Sequence, residues 1–141
     1  MHPGFKNVLG VFIGILIGMG VNIGLVTLGP ILIPPPMDAD LTTMEGLEAS
    51  MHLMEPKHFL MPWLAHALGS FVGGLIAYLI SGTNKMRSAY IVVFFFFLGG
   101  IANVTMLPSP LWFNIVDLGL AYIPMGFLAC YFGKKLQNSH P

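Results

Sequence analysis

His66 and Asp117 each interrupt a long apolar stretch of the chain. An imidazole titrates near neutral pH, and a carboxylate beside it can hold one ring nitrogen, so a His–Asp pair can carry protons. The same pair can bind a cation or a polar head group. Three amides, Asn22, Asn103 and Asn114, stand in similarly apolar surroundings and can add hydrogen bonds. Ionisable groups inside a membrane span are costly, which makes them functional candidates by default. Glue between helices is the competing use of such residues, worth about 0.6 kcal/mol on average.

A second set of residues has metal-ligand character. Glu48-x-x-x-His52 has the i, i+4 spacing that puts two side chains on one helix face. His58 follows six residues later, and the thioethers of Met51, Met54 and Met61 favour Cu(I). A methionine stripe at helical spacing is more often packing. Glu48, His52 and His58 are therefore metal candidates against a bland interfacial helix, and no particular cofactor is implied. An enzyme reading lacks its parts: no nucleophile elbow, no Gly-rich phosphate loop and no HExxH pattern occurs. Ser70 lies one turn from His66, which makes a Ser–His dyad conceivable; Ser50 and Ser109 have no better case.

The elements that must position these groups follow from composition. Hydrophobic residues make up 55% of the 141 and charged residues 9%. A soluble domain normally carries about 25% charged residues. Mean hydropathy is +0.79. These values exclude a soluble enzyme domain, a disordered regulator and a nucleic-acid binder, and leave an integral membrane protein in a lipid bilayer. Formal charges cancel, so no basic field attracts nucleic acid, and the one cysteine, Cys130, cannot form an internal disulfide.

Apolar runs over about 8–33, 59–80, 89–107 and 111–132 are long enough to cross a ~30 Å hydrocarbon core. They are continuous rather than alternating, which selects helices over a barrel. The first run is too long for a signal-peptide core and lacks a cleavage pattern. The expected fold is all-α: one domain over residues 1–141, a four-helix transmembrane bundle. Lys6, Lys85, Arg87, Lys134 and Lys135 fall on one side of such a bundle, and the acids from Asp38 to Glu55 on the other. The positive-inside rule then makes both termini cytoplasmic and places residues 34–57 outside.

Pro34-Pro35-Pro36 stops the first helix. Thr42-x-x-Glu45 has capping-box spacing, with Asp40 as a rival cap. Leu41, Met44, Leu47, Met51 and Met54 form one apolar stripe, which predicts a short amphipathic helix on the outer membrane face, ended by Pro56. Gly10, Gly14 and Gly18 repeat every four residues, as do Ala65, Gly69, Gly73 and Ala77. Such small-residue seams predict close helix contact within the bundle, or a homo-oligomer through the same faces. Phe94 to Phe97 is too bulky for a seam and is expected largely to face lipid. Pro62 and Pro124 are expected to kink the second and fourth spans.

Counted from the outer span ends, Asp117 lies about 9 Å deep, Asn103 about 6 Å, Asn114 less, and His66 and Asn22 roughly 10–16 Å. Helical phasing puts them on the small-residue faces, with Asp117 aligned with Asn114, Ala121 and Pro124. The expectation is a polar cavity or network opening outward, with His66 and Asp117 as its pair.

Ala65-His66-Ala67-Leu68-Gly69, Leu98-Gly99-Gly100-Ile101-Ala102-Asn103 and Leu107-Pro108-Ser109-Pro110-Leu111-Trp112-Phe113 before Asp117 resemble small four-span proteins of unassigned function in bacterial genomes. The resemblance covers the last three spans and implies a bacterial inner membrane but no activity. The chain lacks the first-span glutamate of small multidrug transporters and the arginines of membrane glutathione-transferase-like bundles. Two functions are carried forward: binding, with transport as an extension, of a cation, proton or small polar ligand; or an accessory subunit whose polar residues only join helices.

Overall fold

A helix starts where backbone donors find a cap, and the first one starts earlier than hydropathy alone predicts. In the computed structural model, which describes residues 1–139, α1 covers Pro3–Leu32. The His2 ring accepts the Gly4 N–H at 3.2 Å, and Pro3 fills a first-turn position where its missing donor costs nothing. The other helices are α2 (Met44–Ser50), α3 (Leu60–Ile80), α4 (Lys85–Met106), α5 (Leu111–Leu120) and α6 (Ile123–Asn138). Among the described residues there is no strand. Four stretches, Pro3–Leu32, Pro56–Ile80, Lys85–Met106 and Leu111–Asn138, are long and apolar enough to cross a membrane.

The helix α3 is the hub. Its small residues accept α1 along one side, α4 along another and α6 along a third. The α1 seam brings backbone against backbone. A methyl group built on Gly14 would stand 2.5 Å from the Gly73 carbonyl oxygen, and one on Gly18 would stand 2.7 Å from that of Gly69. On Gly10 it would stand 3.0 Å from the Ala77 carbonyl. Gly10, Gly14 and Gly18 thus meet Ala77, Gly73 and Gly69 of the Ala65/Gly69/Gly73/Ala77 repeat inside one chain. An oligomer through either face would require this packing to open.

Two prolines behave differently from each other. Pro62 sits in the first turn of α3, where no intrahelical donor is lost, and α3 continues past it. The fourth apolar stretch is a broken helix. The chain leaves helical geometry at Tyr122 (φ −125°, ψ −78°), and Pro124 stands in the first turn of α6. Phe94 and Phe95 face outward while Phe96 is buried, so the phenylalanine run is split between surface and core.

The two ends of the bundle differ. At the terminal end, the Asn7 carbonyl accepts the backbone N–H groups of Gly82 and Thr83, both at 3.1 Å, and Lys85 donates to Gln137 at 2.7 Å. At the loop end, α2 is followed by 3-10 turns at Met51–Leu53 and Pro56–Phe59. Thr43, not Thr42, caps α2 by accepting the Gly46 N–H at 2.9 Å. Asp40 instead accepts both the amide and the hydroxyl of Thr42, which organises the turn before the helix. Pro56 opens a turn rather than closing the helix. The apolar stripe is applied to the bundle: Met51 packs with Phe59 and Phe113, flanked by Leu47 and Met54, while Met44 stays exposed.

The turn at Asp40 gives a pH prediction. The Thr42 hydroxyl, then the Thr42 N–H, hold the Asp40 carboxyl below its ordinary value of 3.8. A carboxyl with a lowered folded-state value stabilises the fold above its unfolded value, and that contribution is lost as pH falls through the lowered one. Protection of the Thr42 amide from hydrogen exchange should therefore be constant above the ordinary carboxylate range and fall only below it.

Candidate functional site

Three helices each bring one polar group to one place. His66 comes from the second turn of α3, Asp117 from the middle of α5 and Asn103 from the last turn of α4. These antiparallel elements all present their loop-end halves, so residues far apart in sequence share one level. Nδ1 of His66 lies 2.8 Å from Oδ1 of Asp117. Nε2 of His66 lies 3.3 Å from the Asn103 side-chain nitrogen. The Tyr122 hydroxyl donates to the other Asp117 oxygen at 3.1 Å. The Asp117 side chain is 2% exposed and that of His66 13%.

The direction of this chain follows from its donors and acceptors. A carboxylate only accepts, so the proton on Nδ1 of His66 points to Asp117. Nε2 then offers a lone pair, which the Asn103 amide group can fill. Asp117 is buried beneath the imidazole, and Nε2 is the ring nitrogen turned to the exposed Asn103. Fixing one ring nitrogen on a carboxylate is how proteins set the tautomer of a working histidine.

His66 and Asn103 border a groove of about 450 Å³ between α1 and α4, lined also by Asn22, Tyr122 and Gly99. Asn22 therefore shares the groove with His66. Asn103 is exposed on the α4 side of it. Asn114 does not join the set: it accepts the Ser109 hydroxyl at 2.6 Å and stabilises the turn before α5. The reason is local: Ser109 engages both ends of the Asn114 amide, with the Ser109 carbonyl 3.4 Å from the amide nitrogen. The alignment of Asp117 with Pro124 assumed one unbroken helix, and the break after α5 is what delivers Tyr122, which helical phasing does not associate with Asp117. A sequence signal exists, since Ile123-Pro124 has the form of a new helix start.

Gly100 makes room for Tyr122. A methyl group on Gly100 would collide with the Tyr122 hydroxyl. The ring is stacked on His66 at 5.9 Å and met edge-on by Phe97 at 5.7 Å. Gly100→Ala should displace Tyr122, remove its bond to Asp117 and destabilise the fold by about 1–3 kcal/mol, the usual range for overpacking. A thermal melt of the variant beside Gly99→Ala checks this, because Gly99 has open space around it.

Ser70 forms no dyad with His66. It is fully buried, and its hydroxyl has no hydrogen-bond partner among the described residues. Ser50 accepts the Asp40 N–H at 2.8 Å. Glu48, His52 and His58 do not gather. Among the described residues, no three of His, Cys, Asp and Glu stand close enough together to hold a metal ion. The helix α2 ends at Ser50, so Glu48 and His52 are not on one regular helical face. The His58 ring is engaged at both nitrogens: Nδ1 accepts the Glu55 N–H at 2.9 Å, and Nε2 lies 3.2 Å from the Pro34 carbonyl. It clips the loop to the end of α1.

Compared with protein-family models, curated protein sequences and solved structures, the chain matches none.

Proposed function

We propose that this chain is an integral protein of a bacterial inner membrane and binds a proton or a small cationic or hydrogen-bonding ligand at His66. The termini and the 81–88 turn lie on the cytoplasmic side, and the site lies in the outer half of the membrane. The orientation rests on five cations at the terminal end against five acids in the loop segment. A membrane-impermeant maleimide should label Glu45→Cys but not Ser139→Cys in intact cells, both in a Cys130→Ala background. The reverse pattern inverts the orientation.

One observation carries the function: the Tyr122–Asp117–His66 chain ends with Nε2 against the exposed Asn103, in an open groove that both residues line, rather than on another buried group. Asn103 suits both protonation states of that atom. Its amide nitrogen faces the lone pair of neutral imidazole, and a half-turn of the amide presents its oxygen to an imidazolium N–H. Binding can therefore be linked to proton uptake without moving a helix. Nitrogen NMR of His66 in lipid nanodiscs tests this reading. Nδ1 should carry the proton and Nε2 the lone pair, and ammonium or guanidinium ions should perturb the Nε2 resonance. A His66 in the other tautomer, or one that does not respond to these cations, overturns it.

The accessory-subunit reading has its own support. Asn103 is exposed on the flank of the bundle, where hydrocarbon would leave its amide with no partner beyond the contact to His66. A helix of another protein lying over the groove would cover it. Native mass spectrometry of gently released protein separates the two: a stoichiometric second chain favours the accessory role, and a lone chain with a retained small molecule favours the site.

A further inference from the structure

The groove between α1 and α4 opens a second time at the terminal end, far from His66. This cavity holds about 470 Å³. Its polar lining is confined to one end, with Asn7 near the start of α1 and Arg87, Ser88 and Asn84 at the start of α4. Its remaining wall is Val8, Val11, Phe12, Ile15 and Ile91. From Val8 to Ile15 that wall runs for about 10 Å along the helix axis. A charged mouth that gives way to a one-sided apolar slot matches the polarity of a phospholipid.

The mouth asks for an anion on several independent counts. The helix α4 starts at an Asn84 in left-handed geometry (φ 47°), has no side-chain cap and has no acid in its first turn. Its leading N–H groups are thus without helical acceptors, and they carry the positive end of the helix dipole. Arg87 adds a full positive charge to the same turn, which the dipole disfavours unless an anion is present. No ion pair joins Arg87 to another described residue. Ser88 is 3% exposed and lines the cavity, and none of the hydrogen bonds among the described residues involves its hydroxyl. Asn7, by contrast, is fully used on the 82–83 turn, and Lys85 on Gln137. The unused polar groups are therefore a guanidinium, a hydroxyl and backbone amides, the set that recognises a phosphate.

We propose that this groove binds one anionic phospholipid, with its phosphate on Arg87, Ser88 and the first turn of α4, and an acyl chain along Val11, Ile15 and Ile91. The proposal rests on the reading of the four helices as membrane spans but not on the His66 site. Free phosphate shares the head-group chemistry but makes no use of the apolar wall.

The test uses the full chain in mild detergent, with native mass spectrometry after addition of phosphatidylglycerol or phosphatidylcholine of equal chain length. One phosphatidylglycerol per chain should be retained in preference to phosphatidylcholine. Arg87→Gln should weaken that retention about fivefold, the loss expected for one basic side chain near an anionic surface. The double variant Lys134→Gln, Lys135→Gln removes more charge from the same end but lies on α6, and it should leave retention unchanged. Equal retention of the two lipids, or an equal loss in the α6 variant, overturns the proposal. Complete displacement of the lipid by millimolar inorganic phosphate also overturns it, in favour of a phosphate site. Arg87 is exposed, so its variant should fold, and an unchanged thermal melt verifies that. Carbonate washing of the membranes tests the span reading separately. A chain that stays in the pellet yet shows no lipid selectivity defeats only the lipid proposal, and a chain washed off defeats both.

Discussion

Asp117→Asn should leave the bundle folded and release His66 from its Nδ1–H tautomer. The two side chains have nearly the same shape, so the packing of α5 against α3 is kept. The hydrogen bonds cannot all be kept. Asp117 accepts from the His66 ring at one oxygen and from the Tyr122 hydroxyl at the other. An amide has one acceptor and one donor end. If its NH₂ faces His66, the ring proton must move to Nε2, and the lone pair on the groove is lost. If its NH₂ faces Tyr122, two donors meet, and the hydroxyl must turn away. Either way an imidazolium on His66 has no carboxylate to balance it in a nearly dry place. The measurement is nitrogen NMR of the histidines in nanodiscs, which tells the two tautomers apart by the shifts of the two ring nitrogens. His66 should carry its proton on Nδ1 in the native chain and lose that preference in the variant. An unaltered tautomer in Asp117→Asn would remove the carboxylate from the site and leave the pair as helix glue. Asp117→Ala is less informative, because it strands two buried donors at about 1–3 kcal/mol each and mixes stability with function.

What sequence reasoning reaches here is set by how local each cause is. Four apolar runs predict four long helices because hydropathy is a property of consecutive residues, and helical stretches long enough to span a membrane stand at those places, the fourth broken at Tyr122. The level shared by His66, Asp117 and Asn103 is also legible, since residues in antiparallel helices can be counted from a common end. Whether they touch is not, because rotation of α5 against α3 depends on packing across the bundle. The misses have local origins. Tyr122 is missed because the last apolar stretch is two helices, and phasing across the break at Tyr122 is meaningless. Asn114 drops out because the Ser109 hydroxyl and carbonyl occupy its amide. His58 reads as a ligand from its type and spacing, yet its partners are a backbone amide three residues back and a carbonyl at Pro34. Backbone groups of a folded loop leave no trace in composition. The Asp40–Thr42 turn is hidden for the same reason, since Asp40, Thr42 and Thr43 all have cap-forming side chains and only geometry chooses among them.

The small-residue seam yields the largest effect on stability, and it separates seam glycines from ornamental ones within a single helix. Gly14 and Gly20 both lie in α1, six residues apart. A methyl group on Gly14 would sit 2.5 Å from the Gly73 carbonyl oxygen and 3.1 Å from the Ala77 side chain, whereas one on Gly20 meets nothing within 4 Å. The obstacle at Gly14 is backbone, which cannot rotate aside. Gly14→Leu must therefore push α1 off α3 as a whole, breaking the close approach at Gly10 and Gly18 as well. Overpacking of a tight site typically costs about 1–3 kcal/mol, and a branched side chain against a carbonyl belongs at or beyond the top of that range. Gly20→Leu adds only an exposed apolar side chain, and in lipid it should be neutral or gain slightly through helix propensity. The comparison is a thermal melt of the two variants in the same detergent. A large loss for Gly14→Leu with none for Gly20→Leu confirms an intrachain seam. Equal melts for both variants would mean that α1 does not rest on α3 through its glycines. Because Asn22 is carried by the same helix, a displaced α1 should also open the His66 groove, so the Gly14 variant ought to alter the His66 resonances although the two residues lie about two helix turns apart along the seam.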